Sequence, residues 1–205
     1  DRGGRLVAQA EMSLPIHLSS MMGMMGVVVS KFPPGTLQEG DILVGNDPYA
    51  SGGTHLPDVG LVMPIFVKGR HLGYVANIAH HADMGGMAPG SMAGGMTEIY
   101  QEGLRIPVIH LFRRGELVKD VFTLLLLNQR VPDERRGDYF AQVAACRTGE
   151  RRMHELAQSY GPATLEAARP TRASVSESIA SPATQTRAAA ASTTTSSAPL
   201  VDDRF

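Results

Sequence analysis

The chain has no tryptophan and a single cysteine, Cys146, among 205 residues. An internal disulfide is therefore impossible, which suits a reducing compartment. No uninterrupted apolar run approaches the roughly 20 residues of a membrane span. The N-terminus lacks the charged-then-apolar layout of a signal peptide. With a formal net charge of -1, the chain also lacks the basic excess that draws nucleic acid or an anionic membrane. These absences predict a cytoplasmic protein with neither nucleic acid nor membrane as partner. Glycine and aromatics are missing from the C-terminal part: all 22 glycines lie at or before Gly161, and no aromatic occurs between Gly161 and Arg204. Ordering a backbone costs roughly 1–2 kcal/mol per residue, and such a segment has little surface to bury against that. The expected organisation is one domain over 1–161 and a disordered tail over 162–205. The abrupt change of composition points to a frameshifted or mis-joined reading frame.

What remains is an ordinary globular composition, 43% hydrophobic and 19% charged. Asp1 to Arg5 look like a turn into a short strand at Leu6–Ala8, so the start reads as the interior of a domain. Residues 17–32, from His17 through Met21, Met22, Met24, Met25 and Val28, form an apolar helix. Gly23 and Gly26 allow close packing, and the methionines are core filling. Pro33-Pro34-Gly35 breaks the chain. Ile42–Val44 is a buried strand. Val59–Val67 and Leu72–Ala79 are strands joined by the Lys68-Gly69-Arg70 turn, and Ile106–Phe112 is another. Residues 84–96, rich in Gly, Met, Ala and Ser, are a loop. One helix packs through Val121, Leu124, Leu125 and Leu127. A second begins at Pro132-Asp133-Glu134, with proline in the first turn and acids at the positive end of the dipole. Its core positions fall at Phe140, Val143, Ala144, Met153, Leu156, Ala157 and Tyr160. Arg135, Arg136, Arg147, Arg151 and Arg152 form its solvated face. The fold class is mixed α and β (α+β), a hairpin-bearing sheet with packed helices.

The chemistry concentrates between residues 45 and 107. His55 and Asp58 are three apart, with Pro57 between them arguing against a helix. His80 ends the returning strand. If the two strands pair as a hairpin, His80 meets His55 and Asp58 at one end, and two imidazoles with one carboxylate are a donor set for a divalent metal. Each residue also has a plain role: His55 can cap a turn, Asp58 can start a strand, and His80 can be a core histidine. Spacing alone leaves both readings open. His81 points to the opposite face from His80. Asp83 is either an acceptor for an imidazole N–H or a solvated acid. Asn46-Asp47-Pro48-Tyr49 reads as an Asx-type turn. The glycines at 85, 86, 90, 94 and 95 let backbone approach a ligand, without matching a nucleotide fingerprint. Glu98 and Glu102, four apart, share a helix face. They serve acid/base roles or bind Arg105.

The runs Gly-Asn-Asp-Pro-Tyr (45–49), Gly-Thr-His-Leu-Pro-Asp (53–58), Ala-His-His-Ala-Asp (79–83), Pro-Gly-Ser-Met (89–92) and Thr-Glu-Ile-Tyr-Gln-Glu-Gly-Leu-Arg-Ile-Pro (97–107) together resemble the hydantoinase B family. That family includes the B subunit of N-methylhydantoinase, the C-terminal part of 5-oxoprolinase and the alpha subunit of acetone carboxylase. The resemblance runs from about residue 1 to 161 and marks the chain as an internal fragment of a longer family member. It implies a hetero-oligomer with a hydantoinase A-type ATPase subunit, which uses ATP to activate the carbonyl of a small cyclic amide. The B-type subunit then hydrolyses the lactam or imide, or, in the ketone-carboxylase branch, carboxylates a ketone. It further implies a manganese ion, with Zn2+ or Fe2+ as alternatives, held by His55, Asp58 and His80. Asp83, Glu98 and Glu102 are the nearby catalytic candidates. Two rival readings stand beside this one. A non-haem iron oxygenase uses the same ligand types, on a barrel and with wider spacing. A truncated remnant would be inactive.

Overall fold

A computed structural model describes residues 1–11 and 13–167. Helix α1 (Pro15–Lys31) is followed by strand β1 (Ile42–Gly45), the short helix α2 (Pro48–Ser51) and the hairpin strands β2 (Asp58–Val67) and β3 (Arg70–His80). Then come the short helix α3 (Ile99–Glu102), strands β4 (Ile109–Arg113) and β5 (Glu116–Leu117), and helices α4 (Lys119–Leu127), α5 (Pro132–Tyr160) and α6 (Pro162–Ala167). The five strands make one sheet in the order β3-β2-β1-β4-β5. Every neighbouring pair is antiparallel. This is the expected α+β sheet with packed helices.

Strand parity decides what each face meets, because successive side chains point to opposite sides. Val59, Leu61, Met63 and Ile65 of β2, with Ile42 and Val44 of β1, pack against Phe122, Leu125 and Leu126 of α4 and Tyr139, Val143 and Cys146 of α5. Val62 and Leu43 turn the other way, onto Met24, Met25 and Val28 of α1. With helices on both faces, the first eight residues of β2 are all buried. That is why this strand reads as a continuous apolar run and not as an alternation. The methionines of α1 fill the core as expected. Gly23 does permit a close approach, since a Cβ there would lie 2.7 Å from the Ser51 carbonyl oxygen. Gly26 faces open space and needs no such explanation.

Several expectations need correction. Leu6–Ala8 form no strand, and Val7 is exposed. Three apolar residues without a partner strand have no ladder to join. In α4 the buried residues are Phe122, Leu125 and Leu126, while Leu124 and Leu127 are exposed. Four consecutive leucines carry no phase, so the sequence could not set the rotation of this helix. The buried stripe of α5 is Arg135, Tyr139, Gln142, Val143, Cys146 and Ala157, and Phe140, Leu156 and Tyr160 are exposed. Arg135 is therefore not on a solvated face. It lies on the buried stripe and pairs with Glu134 and Asp138 at 3.3 and 3.1 Å. Gln142 takes an apolar position there because the sheet offers it the Val59 carbonyl and Asn77 Oδ1, whereas Arg135 is neutralised by acids of its own helix. Helix α6 extends ordered structure past residue 161, and its Glu166 accepts a 2.6 Å hydrogen bond from Arg70. The rest of the expected tail, residues 168–205, lies outside the described residues. Among the described residues no helix is long and apolar enough to cross a membrane.

Candidate metal centre

The hairpin register puts Asp58 directly opposite His80. Asp58 has the same parity as Gly60 and Val62, so it and His80 belong to the face that α1 covers. His81, one residue on, turns to the α5 face. There it is 1% exposed, its Nε2 lies 2.9 Å from Gln142 Oε1, and its ring packs on Tyr139. Two adjacent histidines are thus separated by the thickness of the sheet.

His55 reaches the same point from the loop before β2. Leu56 is a fully buried peg, which turns its neighbour His55 outward. The Asp58 N–H closes the turn on the His55 carbonyl at 3.2 Å, and the Pro57 carbonyl accepts from His81 N–H at 2.8 Å. The side chain of Asn46 clamps the loop from below. It donates to the carbonyls of Leu56 and Leu104 at 2.8 and 3.0 Å and accepts from Ile106 N–H at 2.6 Å. Asp47 does make the expected turn, accepting from Tyr49 N–H at 3.0 Å as the cap of α2.

His55 Nε2 lies 3.0 Å from Asp58 Oδ1, His80 Nδ1 lies 3.2 Å from the same oxygen, and the two ring nitrogens are 3.3 Å apart. Hydrogen bonds alone satisfy this triangle poorly: if both rings donate to Oδ1, their N–H groups crowd each other. Three lone pairs converging on a cation remove that conflict. An ion about 2.1 Å from each donor separates neighbouring donors by about 3.0 Å in an octahedron and about 3.4 Å in a tetrahedron. The observed separations match. The donor set therefore fits a divalent metal. Burial pushes the Asp58 carboxyl up, but hydrogen bonds from His55, Thr54 and His80, with the charge of His55, outweigh it and hold Asp58 below its ordinary value. It is anionic at neutral pH, as a ligand must be.

Two contacts were not expected. Thr54 Oγ1 donates to Asp58 Oδ2 at 2.9 Å. His17 Nε2, from α1, lies 3.5 Å from the same oxygen. Thr54 also lines a cleft of about 380 Å³ with Tyr49, Met96, Glu98, Ile99 and Glu102. The two acids thus border one cleft, which shares Thr54 with the centre. Neither of them pairs with Arg105, which instead binds Asp47 at 2.8 Å between the rings of Tyr49 and Tyr100.

Asp83 is neither an acceptor for a ligand imidazole nor a solvated acid. It is 5% exposed and organises the glycine loop. It accepts from Gly85 N–H at 2.7 Å, Gly90 N–H at 2.9 Å, Arg130 N–H at 3.1 Å and Arg130 Nη1 at 3.0 Å. Arg130 continues into the loop, donating to the carbonyls of Gly85, Gly86 and Ala88. Gly85 and Gly86 both have φ near +80° (87 and 79), where an L side chain is strained. Burial pushes the Asp83 carboxyl up, but these donors prevail and leave it below its usual 3.8. A depressed folded-state pKa gives stability that is present above the unfolded value and lost as pH falls through the folded one. Asp83→Asn turns an amide N–H toward donors. It is expected to cost about 3 kcal/mol at pH 7 and to flatten the loss of stability below about pH 4. Urea unfolding of both proteins between pH 3 and 7 checks this; an unchanged acid limb would contradict it.

The family model described as Hydantoinase B/oxoprolinase matches residues 1–199. The match runs past the compositional break at residue 161. Caprolactamase subunit beta of Pseudomonas jessenii is 39% identical over 148 residues, which cover 72% of this chain and 25% of the relative. 5-Oxoprolinase 1 of Arabidopsis thaliana is 35% identical over 176 residues, covering 80% of this chain and 14% of that protein. Among solved structures, the ATP-dependent caprolactamase from Pseudomonas jessenii superposes with a TM-score of 0.70 at 38% identity, over 75% of this chain and 26% of that one. The chain thus spans about a quarter or less of the length of these relatives. Among the described residues the strands form an open five-stranded sheet, unlike the barrel of the oxygenase reading. By its sequence match and its fold, the chain belongs to the hydantoinase B/oxoprolinase family.

Proposed function

We propose that this chain forms the metal-bearing part of a subunit of an ATP-dependent hydrolase that opens a lactam or imide ring. The convergence of His55 Nε2, Asp58 Oδ1 and His80 Nδ1 at one end of the β2–β3 hairpin carries the reading. Relatives named as a caprolactamase subunit and a 5-oxoprolinase support the substrate class. His55, Asp58 and His80 would hold the ion, with Mn2+ the leading candidate over Zn2+ or Fe2+. When bound, a divalent ion supplies Lewis-acid polarisation of a carbonyl and a lower pKa for water.

The chain's own residues do the rest. Asp58 supplies negative charge to the centre, and Thr54 fixes its orientation. The cleft beside Thr54 seats the ring, with Tyr49 and Ile99 as apolar walls. Glu98 and Glu102 border that cleft, where a carboxylate can take a proton from attacking water and return it to the departing nitrogen. The chain has no phosphate-binding motif, so ATP is assigned to a companion subunit of hydantoinase A type in a hetero-oligomer. The test is ring opening of 5-oxoproline, caprolactam and hydantoin by the chain with such an ATPase subunit, ATP and Mn2+. ATP-dependent ring opening that fails in Glu102→Gln supports the proposal. Bicarbonate-dependent carboxylation of a ketone, with no ring opening, would overturn it.

A further inference from the structure

We propose that His17 is a positioning residue of the metal centre: together with Thr54 it holds Oδ2 of Asp58, so that the carboxylate offers Oδ1 alone to the ion. This rests on the reading of His55, Asp58 and His80 as ligands. The two oxygens of Asp58 face different neighbours. Oδ1 lies among the ring nitrogens of His55 and His80, at 3.0 and 3.2 Å. Oδ2 faces Thr54 Oγ1 at 2.9 Å and His17 Nε2 at 3.5 Å. A carboxylate with both oxygens free can chelate, or rock between one- and two-oxygen binding. Occupying Oδ2 removes that freedom and leaves one donor pointed at the imidazoles. At 3.5 Å the His17 contact lies outside hydrogen-bond geometry, so Thr54 supplies the hydrogen bond and His17 closes the same side of Oδ2.

The placement of His17 follows from the helix. His17, Met21, Met24 and Val28 recur at intervals of four, three and four, one stripe of an α-helix. Met24 and Val28 of that stripe are buried against the β1–β2 face, and a Cβ on Gly60 would meet the Met24 sulfur. Two turns before Met24, the same stripe arrives over the start of β2, where Asp58 sits. Helix α1 is therefore a wall of the centre, and loading the centre should tighten its docking on the sheet.

The test uses the 205-residue chain and Mn2+ alone. Affinity is measured by calorimetric titration, and the number of coordinated imidazole nitrogens by electron spin-echo spectroscopy of bound Mn2+. His17→Ala should weaken Mn2+ binding about 10- to 100-fold, the usual cost of losing a partner of a metal ligand. His17→Gln, which keeps an N–H at similar reach, should recover most of this. Thr54→Val, on a different segment, should weaken binding at least as much as His17→Ala. The count of coordinated imidazoles should stay at two in His17→Ala. Affinity within about twofold of wild type in His17→Ala overturns the inference, whatever Thr54→Val does, as does loss of one coordinated imidazole in His17→Ala, which would make His17 a ligand. If His55→Ala and His80→Ala lose Mn2+ while His17→Ala keeps it, only this inference falls. If wild type binds no Mn2+, the ligand assignment falls with it.

Discussion

His80→Ala should lower Mn2+ affinity by about 100-fold or more and leave the fold intact, whereas His81→Ala should do the reverse. Structural zinc sites gain roughly 10–16 kcal/mol from four donors, about 3 kcal/mol per donor; Mn2+ binds less tightly per donor, and with about 1.4 kcal/mol to a factor of ten the loss of one ligand still comes to about 100-fold. His80 stands at the end of β3 with its side chain 42% exposed. Its removal opens no cavity and takes one contact from buried Asp58, which keeps His55 on Oδ1 and Thr54 on Oδ2, so stability should move by no more than about 1 kcal/mol. His81 is 1% exposed, packed on Tyr139 and paired with Gln142. Alanine there leaves Gln142 Oε1 without that partner and a void beside Tyr139. Its expected cost is about 2–4 kcal/mol, with Mn2+ affinity nearly unchanged in the folded fraction. Metal content after dialysis and urea unfolding of the two variants give four numbers. If His81→Ala loses metal and His80→Ala does not, the assignment of faces is wrong.

Asn46→Ala should be among the most damaging single changes to this fold, at about 3–5 kcal/mol. One amide satisfies three backbone groups from segments far apart in sequence: the carbonyls of Leu56 and Leu104 and the N–H of Ile106. Each buried group left unpaired costs about 1–3 kcal/mol, against a total stability of about 5–15 kcal/mol for an ordinary domain. The loop carrying His55 is anchored through Leu56, so Mn2+ affinity should fall as well. Asn46→Asp separates hydrogen bonding from shape. It keeps the acceptor for Ile106 N–H but sets an oxygen against two carbonyls, and it should rescue nothing. Thermal unfolding of the three proteins decides the point. A cost below about 1 kcal/mol for Asn46→Ala would mean that water replaces the amide and that the clamp contributes little.

The hairpin and its consequence were legible in the sequence because they rest on short-range rules. Two apolar runs around Lys68-Gly69-Arg70 pair antiparallel, so the residues at their far ends must meet, and Asp58 does face His80. Period-two alternation likewise separated His80 from His81. The methionine helix and the loop at 84–96 were readable from composition and spacing. The rotations of α4 and α5 were not. A run of four leucines and a helix with polar residues on its buried stripe give periodicity no clear phase to detect.

His17, Thr54, Asn46 and the true role of Asp83 show where local reading stops. His17 reaches Asp58 only because α1 is laid across the β1–β2 face. Asp83 follows the two histidines closely in sequence, yet its partners are Gly85, Gly90 and Arg130, the last 47 residues away. Buried carboxylates take whichever donors the packed chain brings to them. The sequence by itself determined the donor types, the hairpin that gathers them and the family to which they point. The tertiary structure alone decided which helix lies over Asp58, which neighbours each of its two oxygens meets, and which polar side chains hold the surrounding loops. Those outcomes depend on contacts between segments whose separation along the chain carries no periodic signal.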